Sequence, residues 1–150
     1  MRYSPSPDRV FVMFVILDRL MLSSLSEAND PFFLEQNEIE AILYFGEGGM
    51  FSEEYRLYSR KHNDRELDSE DLKDGITFLK ESLSKGRRVL AVGETGATLI
   101  VAYLIEMGFG SAQALQMVRD SSSSAPKPNL NAIRLYEQLL EDRRNSRVTF

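Results

Sequence analysis

Val89-Leu90-Ala91-Val92, then Gly93-Glu94-Thr95-Gly96, then Ala97-Thr98-Leu99-Ile100-Val101-Ala102-Tyr103-Leu104-Ile105-Glu106-Met107, is the stretch on which the fold turns. Four apolar residues with valine at both ends suit a short buried strand, and two glycines just beyond permit a tight turn. The run after them is apolar almost all round, which a helix tolerates only inside a protein, so a buried helix is expected over Ala97 to Met107. Where such a strand hands over to a helix, free backbone N–H groups and the helix dipole converge on an anion. Gly93, Glu94, Thr95, Gly96, Ala97 and Thr98 are therefore the candidate ligand-binding residues, with Thr95 and Thr98 as hydroxyl donors. The lysine of a nucleotide-binding glycine loop is missing, so ATP or GTP is not the expected ligand. A plain turn between packed elements accounts for the same letters.

Downstream, Gly108 and Gly110 end the buried helix, and Ser111 is expected to cap a helix carrying Leu115 and Val118. Ser121 to Pro128 reads as a polar loop, and Asn129 or Asn131 starts a last helix through Leu139 and Leu140. Upstream, Asp68-Ser69-Glu70-Asp71 opens a helix with acidic residues where the dipole favours them. Leu72, Ile76, Leu79 and Leu83 recur on one face of it until Gly86. Asp30-Pro31 places a capping carboxylate before proline at the first helical position, for a helix that ends by about Asn37. Val10 to Leu17 is β-rich and reads as a strand buried on both faces; Leu20 to Leu22, Ile39 to Phe45 and Tyr55 to Ser59 are further strands, with Gly46-Glu47-Gly48-Gly49 between the last two. The expectation is an α/β protein with a central mixed sheet of about four or five strands flanked by about five or six helices, its C-terminal half helix-rich.

The 150 residues are 43% hydrophobic and 27% charged, which suits one globular domain. Met1 to Arg9, with Ser4-Pro5-Ser6-Pro7, is expected to be a flexible lead-in and residues 10–150 a single domain. Eighteen Lys and Arg against 23 Asp and Glu give a net charge of −5, so neither nucleic acid nor an anionic membrane is an expected partner. The longest apolar run, Val10 to Leu17, is far short of the roughly 18 residues that cross a bilayer. Arg2 and Arg9 before it imitate a secretory signal, but Asp18 and Arg19 interrupt the run before any cleavage site, and a cytoplasmic location is expected. The chain has no cysteine, which excludes disulfides, thiolate metal sites and any thiol nucleophile. His62 is its one histidine, so multi-histidine metal sites are excluded too, and no cofactor is expected.

Taken together, Val89 to Val92, the glycine turn, Ala97 to Gly108, Ser111-Ala-Gln-Ala-Leu-Gln-Met-Val-Arg119 and Pro128-Asn-Leu-Asn131 closely resemble the C-terminal half of compact dual-specificity protein phosphatases. Ile16 to Asp30 is similar to that family's first hairpin and helix, and Ile39 to Phe45 to its next strand; the likeness runs from about Val15 to Leu140. The resemblance implies the family's fold. Its signature is His-Cys, five residues, then Arg and Ser or Thr, with the thiolate as nucleophile and the loop amides and arginine holding the phosphate. Laying strand on strand puts Val92 at the histidine and Gly93 at the cysteine, while laying helix on helix puts Thr95 at the arginine and Gly96 at the Ser/Thr. Only Glu94 stands where the family has five residues, and moving the gap brings Val92 or Val89 to the cysteine instead.

Without the thiolate no phospho-enzyme can form, and without the arginine the bidentate clamp on the phosphoryl oxygens is gone. One preorganised contact of this kind is commonly worth about 2.7 to 4 kcal/mol in the transition state, so losing all of them should abolish turnover. Asp64 resembles the aspartate that protonates the leaving group, although a turn residue would read the same, and an acid without a nucleophile has nothing to protonate. Arg60, Lys61, His62 and Arg65 form a local basic edge suited to an acidic or phosphorylated partner. The leading expectation is an inactive, pseudophosphatase-like protein that binds or scaffolds a partner protein. The alternatives are a residual hydrolase in which Asp64 or Glu94 acts as acid or base or binds a divalent metal, and a structural protein self-associating through Val10 to Leu17 or Phe32-Phe33.

Overall fold

A computed structural model describes residues 14–45, 56–60, 67–121 and 126–147. Among these residues five strands form one sheet in the order β1-β2-β5-β3-β4: β1 Phe14–Leu17, β2 Leu20–Ser23, β3 Ala41–Phe45, β4 Arg56–Arg60 and β5 Val89–Val92. β1 runs antiparallel to β2, and every other pair is parallel. Among the described residues six helices flank the sheet: α1 Leu25–Ala28, α2 Pro31–Gln36, α3 Ser69–Ser84, α4 Gly93–Glu106, α5 Ser111–Ser121 and α6 Leu130–Arg147. The mixed sheet and helix-rich C-terminal half are those expected from the sequence.

The sheet has a core on each face because its parallel strands are apolar at consecutive positions. Leu20, Leu22, Ala41, Leu43, Val89 and Ala91 point to the side of α3, α4, α5 and α6. Met21, Ile42, Tyr44, Leu90 and Val92 point to the other, where Ala28, Phe33 and Leu34 of the two short helices cover them. α4 lies in the larger core and buries every residue from Gly96 to Leu104. α3 packs so closely on it that a Cβ on Gly75 would stand 2.6 Å from Leu99 Cδ2.

Helix starts follow the side chains. Asp30 accepts from Phe32 N at 2.9 Å with Pro31 at the first position of α2. Asp68 and Asp71 form a reciprocal capping box at α3, Asp71 N donating to Asp68 Oδ1 at 2.9 Å and Asp68 N to Asp71 Oδ2 at 3.1 Å. Asn129, rather than Asn131, opens α6: its Oδ1 accepts from Asn131 N at 3.0 Å and Ala132 N at 3.1 Å. Ser111 is the first residue of α5 and not its cap, Gly110 O accepting from Ala114 N at 2.9 Å.

β1 departs from expectation. It lies at the sheet edge, and Val15, paired with Met21, is 57% exposed. An unbroken apolar run cannot distinguish an edge strand from a central one. Residues 10–13 lie outside those described. Phe33 is buried, which removes it from any surface for self-association.

Candidate functional site

The C-terminal ends of β2, β5, β3 and β4 meet along one edge of the sheet, where α/β proteins take ligands. There β5 passes into α4 with no loop: the strand ends at Val92 and the helix begins at Gly93. The turn expected over Gly93 to Gly96 is thus the first helical turn, and α4 starts four residues earlier than its apolar run. Gly93 makes the change of direction by itself, at φ 72°.

Tertiary contacts hold this early start against the weak helix preference of Gly93-Glu94-Thr95-Gly96. The Thr95 hydroxyl donates to Phe45 O at 3.3 Å, joining the helix to the end of β3. The buried Thr98 hydroxyl donates to Glu94 O at 2.8 Å and accepts from Asn129 N at 2.8 Å, linking α4 to the entry of α6. Gly96 sits against the strand it follows, with room for no side chain: a Cβ there would lie 2.8 Å from the Ala91 carbonyl carbon. Of the six candidate residues, Gly96, Ala97 and Thr98 are buried, while Gly93 and Thr95 are half-buried and Glu94 is exposed. Glu94, in the first turn of α4, adds a negative charge near the positive end of that helix's dipole. No thiol exists anywhere in the chain to attack a phosphoryl group. Asp64, Lys61, His62 and Arg65 lie outside the described residues, and of Arg60 only its place in β4 is described.

A second feature lies away from the strand ends. A cavity of about 640 Å³ opens between α3 and α6, beside the C-terminal end of α4. Glu106 stands in it with its side chain 17% exposed, receiving Lys80 Nζ at 3.2 Å and Arg143 Nη1 at 3.6 Å on Oε1 and the Tyr136 hydroxyl on Oε2. The Tyr136 hydrogen bond, helped by Lys80 and Arg143, holds the Glu106 carboxyl below its ordinary pKa although burial opposes this. Burial, and then the bond to Glu106, push the Tyr136 phenol well above its ordinary range. Sequence reading gave no sign of this cluster, whose members come from three helices. The one available hint was Glu106 itself, a carboxylate at the end of an otherwise apolar helix. Among the described residues no group of three or more His, Cys, Asp or Glu could hold a metal ion, and no helix is long and apolar enough to cross a membrane.

No protein-family model matches the chain, and no curated protein matches it. Solved structures do. A mouse putative dual specificity phosphatase complexed with zinc tungstate is 17% identical, with 95% of this chain and 97% of that one covered and a TM-score of 0.77. The human tyrosine phosphatase-like serine/threonine/tyrosine-interacting protein is 20% identical, covering 87% and 97%, with a TM-score of 0.75. Human DUSP28 is 18% identical, covering 92% and 97%, with a TM-score of 0.73. The chain has the fold of the dual-specificity phosphatases in a degenerate form, without the cysteine on which their chemistry turns.

Proposed function

We propose that the protein is a non-catalytic, pseudophosphatase-like module that acts by binding or scaffolding another protein, with a cytoplasmic site of action. The observation that carries this reading is the junction of β5 and α4, where the strand passes into the helix through Gly93 alone; the resemblance would have a phosphate-binding loop at this place. A packed domain without the thiol on which the resembled chemistry depends can still act through its surface. The tyrosine phosphatase-like human protein that shares the fold is called an interacting protein, which supports the same reading here.

A phosphorylated or acidic partner fits this role. Within Gly93 to Thr98 it would meet the first-turn amides of α4 and the Thr95 hydroxyl, with Glu94 opposing. The test has two parts. Purified full chain is incubated with p-nitrophenyl phosphate and with phosphopeptides; no turnover above background is expected, and vanadate-sensitive turnover overturns the reading. Chemical cross-linking in the source cells should then trap the chain against a recurring protein partner, and recovery of the free chain alone counts against a binding role.

A further inference from the structure

We infer that Ser146 is a phosphorylation site for a basic-directed serine/threonine kinase, and that the phosphate loosens the last turns of α6. Arg143-Arg144-Asn145-Ser146 sets two guanidinium groups three and two residues before a hydroxyl. A kinase whose substrate groove carries carboxylates at that spacing takes both arginines as charge-assisted anchors and so brings the serine to ATP. Arg56 and Arg119 stand three residues before Ser59 and Ser122, but Leu57 and Asp120 occupy the place of the second arginine there, so the pair singles out Ser146. In the reaction the bond between the γ-phosphorus of ATP and its bridging oxygen breaks and ADP leaves. Ser146 Oγ forms the new P–O bond, and its proton passes to the kinase's catalytic carboxylate. The inference stands apart from the partner-binding role proposed above, since it needs only a kinase that meets the chain.

A kinase takes its substrate as an extended segment, so the end of α6 has to open locally. The packing of α6 allows this. The helix spans Leu130–Arg147, yet its buried residues Ala132, Ile133 and Tyr136 all lie in its first half, and none from Glu137 to Asn145 is buried. Cavities of about 640 and 450 Å³ open on its two flanks, the first bordered by Leu139 and Arg143 and the second by Leu140 and Arg144. Arg144 is exposed and forms no ion pair with a described residue, so a kinase can take it without breaking one.

Two forces act on the modified helix. Residue 146 lies in the last turn, where the helix dipole is negative and opposes a phosphate carrying a charge of about −2. Arg143 stands three residues back, the spacing at which helical neighbours meet, and its Nη1 lies 3.6 Å from Glu106 Oε1. The phosphate competes with Glu106 for this cation and weakens the tie between the end of α6 and the end of α4.

The test treats the full chain with ATP and the catalytic subunit of cyclic-AMP-dependent protein kinase, a basic-directed enzyme, and maps the product by mass spectrometry. One phosphate is expected, at Ser146. Ser146→Ala should abolish its incorporation, and Arg144→Gln, which leaves the Glu106 contact in place, should slow it about tenfold. The same phosphopeptide should be recovered from the source cells. Hydrogen exchange in the phosphorylated chain should then quicken about fivefold over residues 137–147 and stay unchanged in α3. No incorporation, preference for Ser59 or Ser122, or absence of the phosphopeptide from the cells each overturns the site. Phosphate at Ser146 with unaltered exchange in α6 overturns the loosening.

Discussion

Gly96 and Ala91 are in contact across the turn that joins β5 to α4, so closely that a methyl group on Gly96 would meet the Ala91 carbonyl carbon at 2.8 Å. The obstacle is backbone, which cannot rotate aside. Gly96→Ala is therefore expected to destabilise the protein by about 1–3 kcal/mol through overpacking. Urea unfolding followed by circular dichroism checks this, and unchanged stability would show that helix and strand part more easily than their contact suggests.

Thr98 is buried and serves two backbone groups, donating to Glu94 O and accepting from Asn129 N. Valine has its shape but leaves the Asn129 N–H without that acceptor. Thr98→Val should cost about 1–3 kcal/mol, with Thr98→Ser losing less than Thr98→Val. Hydrogen exchange at Asn129, measured by NMR, is expected to accelerate in Thr98→Val alone.

The Glu106 carboxyl is held below its ordinary value of 4.5 in the folded chain. A lowered folded pKa makes its contribution complete above the unfolded pKa and removes it as pH falls through the folded value. The stability difference between wild type and Glu106→Gln should thus be largest near neutral pH and disappear in acid. Tyr136→Phe removes the leading cause of the shift and should cost about 1.5 kcal/mol at pH 7. Urea midpoints from pH 7 to pH 3 decide the matter; parallel curves for wild type and Glu106→Gln would refute the assignment.

Glu38 follows α2 at φ 54°, in the left-handed region that suits glycine. Its backbone N–H donates to Glu35 O at 3.1 Å, and Ile39 N donates to Leu34 O at 3.0 Å, so the conformation closes the helix end. Glu38→Gly is expected to raise stability by roughly 1 kcal/mol, and Glu38→Val to lower it. Thermal melts of the pair give the answer.

Gly93→Cys puts a thiol at the position that resembles the family's nucleophile. It should restore no hydrolysis of p-nitrophenyl phosphate, because the shortened junction still lacks the arginine and the ring of amides. Turnover by this variant would mean that the first turn of α4 binds phosphate better than its buried residues suggest.

Local chemistry was legible in the sequence where it is local in space. Asp30 before Pro31, Asp68 three residues from Asp71, and the Leu72, Ile76, Leu79 stripe each complete their contacts within one or two helical turns. The sheet followed from short apolar runs, but the place of β1 at its edge did not, because exposure of Val15 depends on where α1 and α2 lie. The start of α4 is hidden from the sequence for a related reason: Gly93 to Gly96 is helical on account of Phe45, Ala91 and Asn129, the farthest 50 residues away. The Glu106 cluster is the extreme case, with partners 26 and 30 residues away and no motif to announce them.

The single-glycine passage from β5 to α4 also bears on how the chain can change over generations. A side chain is exchanged by one substitution, but a loop of the kind the resembled family carries would need an in-frame insertion together with a cysteine and an arginine inside it. Every shorter step toward that state would first prise Thr95 from Phe45 and Gly96 from Ala91, at the expense of the core. Ordinary point mutation can therefore vary the surface of this protein widely without building such a loop at the junction.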